Sequence, residues 1–254
     1  MRALVTGASS GIGYEFAKIL AKNKYELILV SRNKEKLKKI KKEIERDYKV
    51  KVYVYNVDLS KLNEVKKFYS LIKNENIDIL INNAGVGDFG KFLDMSWEKD
   101  NEVIDLNIKA LTILTKLFLK NMVKRREGKI LNVASIAAFQ PGPYLAVYSA
   151  TKSYVLHFSE ALAEELKGTG VTVIALCPGV TMSNFFKRSG ISDDEVKTWG
   201  NLATSKETAE YGYEMMMKKK IIAVYGSRNR FNIFLKRFFP RNFITKVTGR
   251  VLKI

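Results

Sequence analysis

The chain of 254 residues carries 44 Lys and Arg against 26 Asp and Glu, a formal charge of +18. A composition 46% hydrophobic and 28% charged excludes intrinsic disorder, and the length suits one α/β domain. A lone cysteine, Cys177, excludes an intramolecular disulfide; with a single histidine, His157, it leaves no ligand set for a structural zinc, so no metal is expected.

Short apolar runs alternate with amphipathic stretches along the chain. Ala3 to Val5 reads as a strand, and Gly11 to Lys24 as a helix with Ile12, Phe16, Ile19 and Leu20 at helical spacing. Leu27 to Val30 is a fully apolar strand, as a central parallel strand should be. A helix near Lys34 to Asp47, a strand over Val50 to Val57 and a helix over Leu62 to Lys73 follow. Ile77 to Ile81 is the fourth strand, Asn101 to Arg126 one long helix, and Lys129 to Val133 the fifth strand. The remainder reads as a helix (Val147 to Lys167), a strand (Val171 to Leu176), a helix (Thr204 to Met217) and a strand (Ile221 to Tyr225). Repeated βα units predict one doubly wound α/β (Rossmann) domain over 1–226, about seven parallel strands with helices on both faces. Ligands of such a fold sit outside the carboxyl ends of its strands.

The charge favours anionic partners, and its distribution is uneven. Residues 22–51 hold 12 Lys and Arg with five acids, which reads as a solvated helix face, whereas 215–254 hold 11 and no acid. From Arg228 onward bases interleave with Phe231, Ile233, Phe234, Leu235, Phe238, Phe239, Phe243, Ile244, Val247, Val251 and Leu252, and Pro240 splits the stretch into two short helices. This 227–254 extension is expected to pack on the domain or in a subunit interface of a homo-oligomer, dimer or tetramer. A second reading is peripheral contact with an anionic membrane, where an apolar substrate could enter. No apolar run reaches the ~18 residues of a spanning helix. No nucleic-acid motif is present, so no nucleic-acid partner is expected. The first residues lack a signal-peptide layout, and a cytoplasmic, reducing location is the expectation.

Between the first strand and helix, Thr6-Gly7-Ala8-Ser9-Ser10-Gly11-Ile12-Gly13 spaces its glycines for a tight turn, close approach to a pyrophosphate, and close helix–strand packing. Strand two ends in Val30-Ser31-Arg32-Asn33, without the acid that commonly holds the ribose 2′-hydroxyl of NAD. Arg32 offers a fork of donors suited to a 2′-phosphate, so NADP(H) is expected over NAD(H).

Further motifs follow in order: Val57-Asp58-Leu59, Asn82-Asn83-Ala84-Gly85, Asn107, Ser135, Tyr148 with Lys152 four residues on, and Pro178-Gly179-Val180-Thr181. With the glycine loop they span residues 2–225, and the chain resembles the short-chain dehydrogenase/reductase family. The resemblance implies a catalytic tetrad of Asn107, Ser135, Tyr148 and Lys152. It places Asp58, Leu59 and Asn83-Ala84-Gly85 at the adenine and ribose side and Thr181 and the backbone at Val180 at the nicotinamide amide. It also gives Asn107 a water linking Lys152 to solvent.

The chemistry is consistent with the residue types. Tyr148 and Lys152, four apart, share a helix face. Reduction of a ketone needs a proton at oxygen as hydride reaches carbon, and an ammonium beside a phenol is expected to lower its pKa into a working range. Lys152 could also bond the ribose hydroxyls, and Ser135 could polarise the carbonyl. The expected activity is hydride transfer between NADP(H) and a small-molecule carbonyl or alcohol; an NADPH-binding sensor on the same fold is the alternative. Phe139, Tyr144, Leu145, Met182, Phe185, Phe186, Ile191 and Trp199 follow strands five and six and suggest an apolar substrate (ketone, 3-ketoacyl or steroid-like), a reading the resemblance shares. His157 reads as packing or surface, and Cys177 as a small buried residue.

Overall fold

The computed structural model describes residues 1–182, 185 and 202–252. Seven parallel strands form one sheet: β1 (Arg2–Thr6), β2 (Glu26–Ser31), β3 (Val52–Asn56), β4 (Ile79–Asn82), β5 (Gly128–Val133), β6 (Val171–Cys177) and β9 (Ile222–Val224). Their spatial order is β3-β2-β1-β4-β5-β6-β9, so the winding reverses between β1 and β4 and opens a crevice there. A two-residue parallel pair, β7 (Thr181–Met182) with β8 (Ala203–Thr204), lies outside the sheet and was not expected from the sequence.

Strand residues alternate between two cores. Ala3, Val5, Leu27 and Leu29 face Phe16 and Leu20 of α1 (Gly11–Lys22), Leu37 and Ile44 of α2 (Lys34–Tyr48), and Met216. Leu4, Ile28, Leu80 and Ile130 face the opposite layer. There they meet Phe68 and Ile72 of α3 (Leu62–Ile72) and Leu114 and Phe118 of α5 (Leu111–Arg125). Both faces of the sheet are dry, which accounts for its unbroken apolar runs.

The long helix expected from Asn101 to Arg126 is three segments. α4 (Trp97–Ile104) leads into a π-turn over Asp105–Ala110, and α5 continues to Arg125. Ser96, by accepting from the Lys99 amide, starts α4 earlier than the periodicity suggested. The π-turn holds Asn107, and such widened turns recur at functional positions. α6 (Ala146–Glu165) and α7 (Ser205–Met217) complete the sheet's flanks. After β9 come α8 (Ser227–Leu235), a 3-10 turn over Lys236–Phe238, and α9 (Arg241–Leu252), divided at Pro240 as expected.

A buried polar chain crosses the middle of the sheet. Asn82 donates to Thr115 Oγ1 at 3.0 Å and to Asn132 Oδ1 at 2.9 Å, and Asn132 donates to Ser159 Oγ at 2.9 Å. It ties β4, β5, α5 and α6 together. Replacing Asn132 by Ala leaves buried donors of Asn82 and the Ser159 hydroxyl without this partner. The expected loss is about 1–3 kcal/mol of stability, read from urea unfolding followed by circular dichroism.

Candidate active site

The carboxyl ends of β1 to β6 and β9 open into one cavity of about 1290 Å³. Its walls include Gly7, Ser9, Ser10, Gly11, Ile12, Ser31, Arg32, Asp58, Leu59, Asn83, Ala84, Gly85, Ser135, Tyr148, Lys152, Pro178, Gly179, Val180 and Thr181. Of the catalytic and cofactor-binding residues expected from the sequence, Gly13 and Asn107 alone are not among these walls. Gly13 has no room for a side chain: a Cβ there would lie 2.5 Å from the Gly7 carbonyl oxygen. Gly7 itself adopts φ +65°, the left-handed turn that starts the loop.

The loop is clamped from β4. Thr6 Oγ1 accepts from the amides of Asn83 and Ala84, each at 3.0 Å, and Asn83 Nδ2 donates to the Thr6 carbonyl at 3.0 Å. Asn83 thus holds the glycine loop with its side chain, a role beyond lining the adenine side. Ser10, the N-cap of α1, makes no side-chain cap, and the first turn holds no acid. The amides of that turn therefore remain for an anionic group, and a dinucleotide pyrophosphate fits them. At the far end Asn33 caps α2 by accepting from the Lys36 amide at 2.9 Å, which leaves Arg32 on the loop at the cavity's edge. The Arg32 guanidinium is paired there with Glu102 of α4 at 2.6 Å.

Asn107 is 1% exposed. It accepts from the Val86 amide at 3.0 Å and donates to the Val86 carbonyl at 2.8 Å and to Thr151 at 3.1 Å. Its side chain thus ties the backbone after β4 to α6. Gly85 passes between the two: a Cβ on it would lie 3.1 Å from Asn107 Oδ1 and 3.4 Å from Lys152 Nζ.

Lys152 is 5% exposed and donates to the Val133 carbonyl at 2.8 Å. Burial lowers its pKa to about 8. Burial also pushes the Tyr148 phenol up to about 12, while the Ser135 hydroxyl pulls it the other way. The Lys152 Nζ is turned to Val133 and lies 5.7 Å from the Tyr148 ring centre. Ser135 accepts from the Ala137 amide at 3.1 Å, so it caps the 3-10 turn at Ile136–Phe139 as well as facing the cavity.

On the substrate side Leu145 and Phe185 line the cavity, and the Phe185 ring lies 5.2 Å from that of Tyr148. Phe139 instead packs beside Val155 and Leu156, Tyr144 faces a neighbouring groove, and Met182 is exposed. Phe186, Ile191 and Trp199 lie outside the described residues. His157 is exposed and Cys177 fully buried, its thiol pushed up to about 12 by that burial. Gln140, within the 139–145 stretch expected at the substrate side, lines the cavity; Lys236, which the sequence did not place there, bonds to it, and burial lowers the Lys236 pKa. The lone glutamine of the chain was visible, but its meeting with a base from the C-terminal segment was not.

A family model described as short chain dehydrogenase matches residues 1–193. The chain belongs to the short-chain dehydrogenase/reductase family. That family comprises oxidoreductases that interconvert CH–OH and C=O groups with a nicotinamide cofactor. The very-long-chain 3-oxoacyl-CoA reductase-B of Danio rerio is 37% identical over 180 residues, 69% of this chain and 58% of that protein. The inactive hydroxysteroid dehydrogenase-like protein 1 of Pongo abelii is 37% identical over 181 residues, 69% of this chain and 54% of that protein. The chain thus spans a little over half the length of these curated relatives. A short-chain dehydrogenase from Sphingobium yanoikuyae, solved in complex with NADPH, superposes with a TM-score of 0.85 at 28% identity, covering 93% of each chain.

The depressed Lys152 pKa has a consequence for stability. Between about 8 and the ordinary lysine value of 10.5 the unfolded chain binds more protons at Lys152 than the native protein, so stability contributed at this position rises with pH. Urea unfolding of the wild type and Lys152→Met across that window should show the wild type gaining relative to the variant as pH increases.

Proposed function

We propose that the chain is an NADP(H)-dependent carbonyl reductase whose proton donor is Tyr148 and whose substrate is apolar next to the carbonyl, as in a 3-oxoacyl thioester or a bulky ketone. The observation that carries this reading is that Ser135, Tyr148 and Lys152 face the same cavity as the glycine loop. The Danio rerio relative, a 3-oxoacyl-CoA reductase by name, supports the substrate class, and the NADPH complex of the Sphingobium protein supports the cofactor. An inactive relative at equal identity shows that likeness alone does not decide activity.

A nicotinamide bound here would supply or accept the hydride at the substrate carbon. Ser10, Gly11 and Ile12 would hold the pyrophosphate by backbone amides, and Asp58 and Leu59 would border the adenine side. Ser135 donates to the carbonyl oxygen and raises its polarisation. Tyr148, a phenol protonated at neutral pH, delivers the proton to that oxygen. Lys152 sits one turn away on the same helix face, where its Nζ can turn from Val133 to the ribose hydroxyls and favour the phenolate left behind. Leu145 and Phe185 shield the reacting centre from water.

Tyr148→Phe keeps the ring and removes the donor. Turnover should fall on the order of 10²–10⁴-fold while NADPH binding is retained. The check is NADPH consumption with a panel of ketones, aldehydes and 3-oxoacyl thioesters, beside NADPH titration. Wild-type protein that binds NADPH and turns over none of them would move the assignment to an NADPH sensor.

Cofactor choice turns on Arg32 and its partner Glu102, because a 2′-phosphate must compete with that carboxylate. Arg32→Asp should weaken NADPH by about 10- to 100-fold and leave NADH little changed. Glu102→Gln should do the reverse, tightening NADPH and not NADH. Equal changes for both cofactors in isothermal titration would remove Arg32 from the 2′-phosphate site.

A further inference from the structure

The last two helices carry a surface that the carbonyl chemistry does not use. Phe231, Phe234 and Phe238 recur at three- and four-residue spacing, so they share one face of α8 and its extension, and they are 59%, 51% and 69% exposed. Phe234 and Phe238 meet edge to face with centres 5.3 Å apart, and Phe239 stacks on Phe243 at 5.3 Å. The aromatics therefore form ridges rather than scattered exposed residues. Arg230, Arg237, Arg241, Lys246 and Arg250 stand exposed among them.

α9 has two faces with different neighbours. Ile244, Val247 and Val251 line the cavity, whereas Lys246 and Arg250 line a shallow groove beside Phe92 and Leu93, the latter 94% exposed. The apolar ridges, the bases and the cavity wall thus belong to one end of the molecule. Exposed contiguous apolar surface of this kind marks an interaction site. Charge selects its occupant. Residues 215–254 hold 11 Lys and Arg and no acid, so a second copy laid on this face would set like charges against each other. A layer of anionic headgroups pairs with the bases and admits the phenylalanines at its acyl boundary.

We propose that α8, its 3-10 extension and α9 dock this protein peripherally on anionic phospholipid, with α9 forming the wall between cavity and bilayer. No helix among the described residues is long and apolar enough to cross a membrane, so the contact lies in the interface plane. The docking does not depend on which carbonyl compound is reduced, and its test does not read activity.

The test is cosedimentation of the full-length protein with vesicles. Binding is expected to phosphatidylcholine vesicles containing phosphatidylglycerol, not to phosphatidylcholine alone, and should fall as salt rises. Arg237→Gln with Arg241→Gln should weaken it by about 30-fold, each base contributing roughly one decade or less. Phe234→Ser with Phe238→Ser should weaken it as well, with circular dichroism confirming that the variants are folded. Lys38→Gln with Lys42→Gln removes the same charge from α2, beside the opposite edge of the sheet, and should leave binding unchanged. No binding to anionic vesicles at low salt overturns the proposal. Equal weakening by the α2 pair also overturns it, because net charge alone would then explain the binding. A concentration-dependent dimer in sedimentation velocity, dissociated by the phenylalanine variant and accompanied by no vesicle binding, overturns it in favour of a second copy.

Discussion

The rotation of α6 about its own axis decides whether this fold has an active site. Lys152 and Ser159 lie about one and three turns after Tyr148, so all three share one face of the helix. Ser159 takes the hydrogen bond of Asn132 in the middle of the sheet, and Asn132 in turn accepts from Asn82. A buried amide in a dry parallel sheet must be paired, which leaves α6 little freedom to turn. The same chain joins β4, which runs into Asn83 and Gly85, to β5, which runs into Ser135. One polar thread through an otherwise apolar core therefore sets the strand ends and the helix face that meet in the cavity.

Burial then sets the chemistry of those side chains. Lys152 and Tyr148 are both pushed toward their neutral forms, and the partners that face them are a backbone carbonyl and a hydroxyl rather than carboxylates. At the cavity's outer edge the balance is different. Arg32 is paired with Glu102 near solvent, where such a pair is worth little and is exchangeable for a phosphate. The deep end of the cavity holds a desolvated phenol and amine, and the shallow end an exposed ion pair.

The C-terminal helices extend this gradient outward. α9 contributes apolar side chains to the cavity wall with one face and bases to the surface with the other. Its amphipathic pattern resembles that of any surface helix, yet its apolar stripe covers an open cavity rather than a packed core, and that is why its phenylalanine and valines remain exposed.

Much of this was legible in the residues. Apolar runs of strand length between amphipathic helices specify a parallel sheet, because only strands buried on both faces lack polar alternation. Glycines at 7, 11 and 13 specify a loop whose backbone is close-packed, and Tyr148 with Lys152 specify one helix face, since these are matters of local geometry. Other features were decided by contacts between residues far apart in the chain. Periodicity marked a helix around Asn107, but the π-turn and the capture of its side chain by Val86 and Thr151 follow from what packs against it. Pairing of Arg32 with Glu102, and of Lys236 with Gln140, joins positions that no spacing rule relates. The pKa directions at Tyr148 and Lys152 follow first from the desolvation of both groups. Proximity along a helix is written in the sequence, whereas desolvation depends on everything the fold places around it.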